Sequence, residues 1–272
     1  MKRAFAKFLT AIAGMTAMAG STDAQTPAPS PAPPPAGMIK FASIWEQPGD
    51  NAALDRWYRT VHSRESILFV GPWLRRYWAY RGYDVPAEAD LVGASRYRLT
   101  EMWYANATEL AEANRAWYPL TPPPTTLADP RRTRIATIYV PAIPDEKYVD
   151  GWPRERPDYF RWVFFMRYPA GVAAAEGDKW FKGSFAPALA KSPGLRRFTC
   201  ANSIRPAADA DSWLRLCELW FDDYAAWKAA VLDAPRPAAP PWRAGFPYIP
   251  IISIFTAQTP DMDFLCDDYR AP

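Results

Sequence analysis

Histidine and cysteine are the scarce residues of this 272-residue chain, which has a single histidine, His62, and three cysteines. Without any Cys-x-x-Cys pair, the cysteines do not suit a structural zinc site. In an oxidising compartment they allow one disulfide and one free thiol. Cys200 and Cys217 fall on the two strands of a predicted hairpin, and pairing of either one with Cys266 is the alternative. The sequence also has no glycine-rich nucleotide motif and no HExxH motif.

Charge of one sign and long apolar runs are also missing. The net charge is +3, from 32 basic and 29 acidic residues that are interspersed, so we expect neither a nucleic acid nor a membrane as partner. The apolar run at residues 8–20 is too short to span a membrane. Because Lys2 and Arg3 precede it and small residues follow, residues 1–24 are predicted to be a signal peptide. The protein is therefore expected to be periplasmic or secreted.

Proline is abundant just after this segment. Residues 25–37 include TPAPSPAPPPAG, which has no apolar periodicity and is predicted to be an extended linker. We expect folded structure to start near Met38.

The folded part contains an internal repeat. Three aromatic-rich segments recur in the same order, with offsets that differ by only a few residues. They are WYR at 57–59 with WFK at 180–182, LRRY at 74–77 with LRRF at 195–198, and RLTEMWY at 98–104 with RLCELWF at 215–221. Residues 38–143 and 159–257 are therefore predicted to be two copies of one unit, followed by a tail at 258–272.

Apolar periodicity within each unit predicts strand, helix, strand, strand, helix, strand. In the first unit, Asp50 is a candidate N-cap for the first helix, and Asn106 opens the second helix. The βαββαβ order is that of ferredoxin-like α+β folds. One sheet face would remain bare, so we expect the tandem units to pack sheet to sheet as a fused dimeric α/β barrel.

The repeated segments also resemble a known family. Glu218 to Asp223, with Trp227 behind them, and Pro193 to Phe198 are similar to strand signatures of the EthD family, and Trp57-Tyr58-x-x-x-His62 resembles its helix. In that family the histidine commonly precedes an Ala-Pro pair. Here Ser63-Arg64 follows His62, whereas the second unit keeps Ala186-Pro187 and has Phe185 in place of the histidine. This suggests one working site per chain, in the first unit.

The resemblance implies small oxygenases, cyclases and isomerases that act on aromatic molecules, and also haem-using branches. Our leading interpretation is an enzyme without cofactor or metal that acts on a small aromatic or cyclic carbonyl compound by isomerase, lyase or cyclase chemistry. A monooxygenase-type enzyme and a non-catalytic carrier of hydrophobic molecules are the alternatives. Haem would need an axial ligand, and His62 is the only imidazole available. A tandem pair is also compatible with a homo-oligomer.

The candidate catalytic residues are His62 and Tyr58, which lie four positions apart on the predicted helix and therefore on one face. An imidazole with an ordinary pKa near 6.5 can move a proton at neutral pH, and a phenol can orient a carbonyl. Candidate substrate-binding residues are Arg59, Trp57, Tyr77, Trp103 and Glu101.

Glu101 and Glu218 occupy equivalent strand positions among apolar neighbours, where a carboxylate could have a raised pKa. Because this pair is duplicated and His62 is not, a structural role is favoured. We expect these carboxylates to pair with the arginines of the second strand of each unit, which are Arg75, Arg76, Arg196 and Arg197.

Overall fold

The computed structural model describes residues 37–46, 52–116, 120–121, 134–151, 159–204, 212–243 and 245–265. These residues form two sheets and a small number of helices. The strands are β1 (Ile39–Glu46), β2 (Leu74–Arg81), β3 (Ala94–Ser95), β4 (Arg98–Tyr104), β5 (Arg134–Pro141), β6 (Glu146–Asp150), β7 (Phe160–Met166), β8 (Leu195–Asn202), β9 (Arg215–Phe221), β10 (Ile251–Thr256) and β11 (Met262–Asp263).

The strand order identifies the fold class. One sheet runs β11-β2-β4-β1-β5 and the other β3-β10-β7-β9-β8-β6. Within each sheet, four strands of one unit have the order fourth, first, third, second, and they pair antiparallel as in ferredoxin-like folds. The prediction of two ferredoxin-like units packed sheet to sheet as a fused dimeric α/β barrel is confirmed.

The helices follow the predicted order, and the first helix of each unit carries a π-helical turn. In the first unit α1 (Ala52–Trp57) continues through a π turn (Tyr58–His62) into α2 (Ser63–Val70), and α3 (Ala107–Ala116) follows β4. In the second unit α4 (Ala174–Trp180), a π turn (Phe181–Phe185) and α5 (Ala186–Ala190) repeat this arrangement, and α6 (Tyr224–Lys228) with a π turn (Ala229–Asp233) follows β9. π turns inside helices are rare and often lie at functional sites.

Helix caps were predicted in part. The Asn106 Oδ1 accepts a hydrogen bond from the Glu109 N–H at 2.9 Å, as expected for a cap. The other predicted cap, Asp50, lies outside the described residues. Among the described residues, no helix combines the length and the apolar character that crossing a bilayer requires.

The two sheets also share their register. Lys40 lies opposite Trp103 in the first sheet, and Arg161 lies opposite Trp220 in the second. Both hairpins have a bulge at the same place, between Leu74 and Arg76 in one and between Leu195 and Arg197 in the other. Equivalent positions in the two units can therefore be assigned residue by residue.

Alternation along the strands divides the core into three layers. Side chains between the sheets include Ile44, Leu99, Val163 and Phe165, whereas one cluster lies between sheet and helices in each unit. We call the layer between the sheets the barrel core, and the other two the helix-side cores.

A charged cluster lies in the barrel core. The Lys40 ammonium contacts both Glu218 and Glu101, and the Arg161 guanidinium lies 2.7 Å from Glu101 Oε1 and 2.6 Å from Glu218 Oε2. All four side chains are at least nine-tenths buried. Two cations therefore neutralise two carboxylates, one pair from each unit, and this barrel quartet connects the two sheets.

The prediction of the ion-pair partners of Glu101 and Glu218 was wrong. The second-strand arginines Arg75 and Arg196 instead form half-exposed ion pairs with Glu109 and Asp222. β4 lies between β2 and β1, and β9 lies between β8 and β7. The glutamates therefore also have β1 and β7 as neighbours, and Lys40 and Arg161 on these two strands point into the same layer as the glutamates. Burial alone raises the pKa of Glu218, but Arg161 and Lys40 outweigh it and lower this pKa to about 2.

Three short strands that the sequence did not predict cover sheet edges. β3 adds to β10 of the second sheet. β6 follows the first unit and pairs with β8 of the second, whereas β11 follows the second unit and pairs with β2 of the first. We call residues 146–150 the linker strap and residues 261–265 the tail strap. Each unit thus sends a strap to the other, and the straps cover the edges of β2 and β8, which could otherwise pair with other chains.

The cysteine pairing is settled by the hairpin register. Cys200 lies opposite Cys217, and the two form a disulfide with a Cα–Cα distance of 4.1 Å. Cys266 lies outside the described residues.

The barrel quartet yields a stability prediction. Arg161→Met leaves two buried carboxylates with Lys40 alone, so we expect it to lower the free energy of unfolding by about 3–5 kcal/mol. Arg196→Met, which breaks an exposed pair, is the matched control and is expected to cost no more than about 1 kcal/mol. Urea denaturation measures both, and equal costs would contradict a structural role for the quartet.

Candidate functional site

His62 ends the π turn of the first unit and is buried in the helix-side core. Three aromatic rings surround it: the centroids of Trp57, Trp45 and Tyr58 lie 4.9, 5.4 and 5.4 Å from the centroid of the imidazole. Its Nδ1 is buried and has no hydrogen-bond partner among the described residues. The imidazole therefore has an unused polar atom inside an aromatic enclosure.

This environment changes the acid–base behaviour of His62. Burial lowers its pKa from 6.5 to about 4, and Glu65 opposes the shift only weakly. The expectation of an imidazole that titrates near neutral pH was wrong, because burial removes the water that would solvate the imidazolium. At pH 7 the side chain is neutral, and it is a weaker base than an exposed imidazole.

Tyr58 begins the same π turn, and its hydroxyl is held in place. The Tyr58 hydroxyl oxygen lies 2.7 Å from Thr100 Oγ1 on β4, and the Arg98 guanidinium carbon lies 4.9 Å from the centre of the Tyr58 ring. Burial raises the pKa of Tyr58, although Arg98 and Thr100 counteract it. Tyr58 is therefore a neutral phenol that can donate a hydrogen bond.

Arg98 is fully buried and joins three parts of the chain. Its Nη2 donates to Asp55 of α1 at 2.8 Å, and its Nη1 donates to Asp261 of the tail strap at 3.4 Å. The guanidinium is thus neutralised by two carboxylates. It supports the ring of Tyr58 and carries no unpaired charge into the site.

Two further hydroxyls lie in this core without a protein partner among the described residues. They belong to Tyr77 of β2 and Ser43 of β1. Burial and the nearby Tyr58 raise the pKa of Tyr77 well above 10, so Tyr77 is also a neutral phenol. Ser66 of α2 is buried and donates to the His62 carbonyl at 2.7 Å. Beside the paired Arg98, the first helix-side core is therefore lined with neutral polar groups.

The second unit keeps Arg215 and Asp178 as the equivalents of Arg98 and Asp55, but it has apolar residues at the other equivalent positions. Phe181 and Phe185 begin and end its π turn, where the first unit has Tyr58 and His62. The register places Phe164, Phe198 and Cys217 where the first unit has Ser43, Tyr77 and Thr100. Leu189 is equivalent to Ser66. Only the first helix-side core thus keeps hydrogen-bonding groups at these positions.

The predicted site residues fall into two groups. His62, Tyr58, Trp57 and Tyr77 meet in the first helix-side core, whereas Glu101 and Trp103 project from the opposite face of the same sheet into the barrel core. Arg59 lies at the rim, half exposed, with its Nη2 3.9 Å from Asp261. The β4 residues were grouped with His62 wrongly, because alternation sends odd-numbered β4 residues away from the helices.

Sequence reasoning missed Thr100, Arg98, Ser43 and Phe264. Thr100 and Arg98 lie inside the repeated segment RLTEMWY, and comparison with RLCELWF shows that Arg98 is kept as Arg215 whereas Thr100 and Tyr104 lose their hydroxyls in the other copy. That difference was a usable signal. Phe264 lies in the tail, outside both copies, where the repeat gives no information.

The chain has limited similarity to known proteins. A family model of the chalcone isomerase N-terminal domain matches residues 42–122, which is less than half of the chain. No curated protein sequence matches.

Solved structures with a similar fold include an anthrone oxidase-like protein, 11% identical with a TM-score of 0.48, where the alignment covers 82% of this chain and 91% of that chain. Another is a chlorite dismutase variant from Candidatus Nitrospira defluvii, 9% identical with a TM-score of 0.44, covering 83% of this chain and 92% of that one. The fold assignment rests on strand order and register, and these similarities do not extend it to function.

The expectation that the chain needs no cofactor is contradicted, because a haem enzyme, chlorite dismutase, is among the structures of similar fold. The residues around His62 nevertheless do not fit a haem ligand. The imidazole is buried and has three rings packed within 5.4 Å of it, so it does not face an open cleft in which a porphyrin could lie. Among the described residues, no group of three or more His, Cys, Asp or Glu side chains is placed to hold a metal ion.

The lowered pKa of His62 gives a pH-dependence prediction. The unfolded chain binds a proton near pH 6.5 and the folded chain only near pH 4, so the stability due to neutral His62 is present above pH 6.5 and is lost as the pH falls towards 4. Relative to His62→Gln, wild type should lose up to about 3 kcal/mol over this interval. Urea denaturation at several pH values measures the difference, and parallel profiles would refute a buried neutral imidazole.

Proposed function

We propose that the protein is an enzyme that moves a proton within a small aromatic carbonyl compound, as an isomerase, lyase or cyclase does. The substrate lies in the first helix-side core. His62 is the base, and Tyr58 donates a hydrogen bond to the carbonyl oxygen of the substrate.

One observation carries this proposal: the only imidazole of the chain is buried and neutral, and its Nδ1 has no protein partner among the described residues. Burying such a nitrogen without a hydrogen bond costs free energy, and groups that bear this cost are frequently functional. The match to the chalcone isomerase N-terminal domain includes His62, Tyr58, Tyr77 and Thr100, which supports the same region.

The chemistry can be written for a 2′-hydroxychalcone as a test substrate. In the tautomer with a free lone pair on Nδ1, His62 takes the phenol proton, and the phenolate oxygen then adds to the β-carbon of the enone. The electrons move onto the carbonyl oxygen, where the Tyr58 hydroxyl stabilises the enolate. Return of the proton from His62 to the α-carbon completes the ring closure. Atoms and electrons balance without a further reactant.

We also infer that the chain arose from two EthD-like units, one at 38–143 and the other at 159–257, of which only the first is active. The shared register and bulge positions support duplication. The apolar residues at the equivalent positions of the second unit support a single site. The second unit contributes the covering sheet and the tail strap.

We propose that the protein functions outside the cytoplasm. The Cys200–Cys217 disulfide supports this location, because such bonds persist in oxidising compartments. The predicted signal peptide at residues 1–24 leads to the same proposal.

The proposed roles predict the behaviour of two variants. His62→Gln should lower kcat for ring closure of 2′-hydroxychalcone by roughly 10²–10⁴-fold, because it removes the base, and leave the affinity for the substrate within a fewfold of wild type. Tyr58→Phe, which gives the first unit the residue of the second, should lower kcat by at least about tenfold. Loss of chalcone absorbance measures the rate.

Phe185→Leu changes the position equivalent to His62 in the second unit and is the control, with kcat expected to stay near that of wild type. Unchanged turnover in His62→Gln would contradict the proposed mechanism. A protein that binds 2′-hydroxychalcone and does not convert it would instead be a carrier of hydrophobic molecules.

A further inference from the structure

The tail strap lies along the edge of the first unit's sheet. Met262 and Asp263 pair with Ala79 and Trp78, and the Phe264 N–H donates to the Tyr77 carbonyl at 2.9 Å. The Trp78 Nε1 donates to Asp263 at 3.0 Å. The strap adds only a two-residue strand to the edge of β2.

Phe264 places an aromatic ring directly on the candidate site. Its side chain is fully buried, with its ring centroid 4.7 Å from that of Tyr77 and 5.9 Å from that of Tyr58. It has no polar side-chain atom, so the two phenols keep their hydroxyls available. Phe264 therefore forms a wall of the core that contains the unpartnered polar atoms of His62 and Tyr77.

The linker strap covers the second unit in the same way but is held more firmly. Its Tyr148 ring lies 4.7 Å from Phe198 and 6.2 Å from Phe181, the counterparts of Tyr77 and Tyr58. Glu146 of this strap pairs with Arg215 at 3.0 Å and with Lys182 at 3.1 Å, both in the second unit. The linker strap also forms a five-residue strand, β6, whereas β11 has two residues. The strap over the polar core thus has the shorter strand.

We propose that the tail strap is the movable wall of the first unit's site and that Phe264 determines the size of the ligand that the site accepts. This rests on the proposed function only in placing the site in the first helix-side core. Ligands enter when the strap leaves β2, which breaks two strand pairs and the contacts of Asp261 with Arg98 and Arg59. On closure Phe264 packs against the bound ligand.

Ligand size tests the role of Phe264. Acetophenone, benzophenone and anthraquinone are neutral aromatic ketones of increasing size, and quenching of tryptophan fluorescence measures their binding to the full chain. Phe264→Ala should shift the affinity ratio at least tenfold in favour of the larger ketones, and Phe264→Trp should shift it towards acetophenone. Tyr148→Ala, the same truncation on the linker strap, is the matched control and should leave the ratio unchanged. Equal ratios in all four proteins would overturn the proposal.

Locking the strap tests its movement. Trp78→Cys with Asp263→Cys places two cysteines at directly paired positions whose side chains point away from the helix-side core. In a Cys266→Ser background, the oxidised protein should bind benzophenone at least tenfold more slowly than each single-cysteine variant in stopped-flow fluorescence. Oxidised and single-cysteine proteins that bind at the same rate would show that ligands do not enter past the strap.

The outcomes separate this proposal from the proposed function. If the locked strap slows binding while His62→Gln retains turnover, the movable strap is supported and the role of His62 as the base is contradicted. If His62→Gln loses turnover while both Phe264 variants keep the wild-type selectivity, the role of His62 is supported and the role of Phe264 is contradicted. Circular dichroism and the urea midpoint identify misfolded variants. If a Phe264 variant is misfolded, the disulfide-locked protein, which keeps Phe264, still tests whether ligands enter past the strap.

Discussion

The fold depends on the burial of one sheet face of each unit against the other. A ferredoxin-like unit covers one face with helices and leaves the second exposed, and an apolar face of that size is not stable in water. Here the apolar side chains of the barrel core cover both faces at once. At the centre, Lys40 and Arg161 neutralise Glu101 and Glu218, so that no charge is buried alone. Separation of the sheets would expose the apolar faces and break the quartet together.

This constraint explains why the two helix-side cores could diverge. The barrel core is shared, and a substitution there affects both units. Each helix-side core is enclosed by the helices of one unit and can change independently. The second was filled with phenylalanines and a disulfide, which stabilise it. The first helix-side core kept the polar side chains of His62, Tyr58, Tyr77 and Ser43. Buried polar atoms without a partner, such as those of His62, Tyr77 and Ser43, stabilise a core less than apolar groups do. The core of the second unit is thus the more apolar one, and the core of the first unit holds the candidate site.

Much of the fold could be predicted from the sequence, because it depends on patterns that a sequence shows directly. Alternation in RLTEMWY and RLCELWF located β4 and β9, and the repeat gave the register relation between the units. The straps were not predictable in this way. β11 has two residues, too few for alternation to be detected, and it pairs with a strand that lies far away along the chain. The π turns were also missed, since their apolar spacing differs little from that of an α-helix.

The candidate site was predicted in part for related reasons. His62 and Tyr58 share a helical face, and helical spacing shows this. Glu101 was assigned to the same site as a carboxylate among apolar neighbours, and Trp103 as an aromatic ring that could line a pocket. Their odd-numbered positions on β4 instead place both side chains on the sheet face away from the helices. The ion partners of Glu101 come from two different units, and no local pattern indicates such contacts. The pKa of His62 depends on the three rings around it, which come from β1 and from the helix itself.

The π turn at Phe181–Phe185 has a consequence for engineering. A wide helical turn is an unusual backbone conformation, and the second unit retains it at a position with no imidazole. Its backbone already places residues 181 and 185 as the first unit places 58 and 62. A second reactive centre could therefore be introduced by exchanging side chains alone, on a scaffold whose neighbouring disulfide stabilises it against the packing that such exchanges lose.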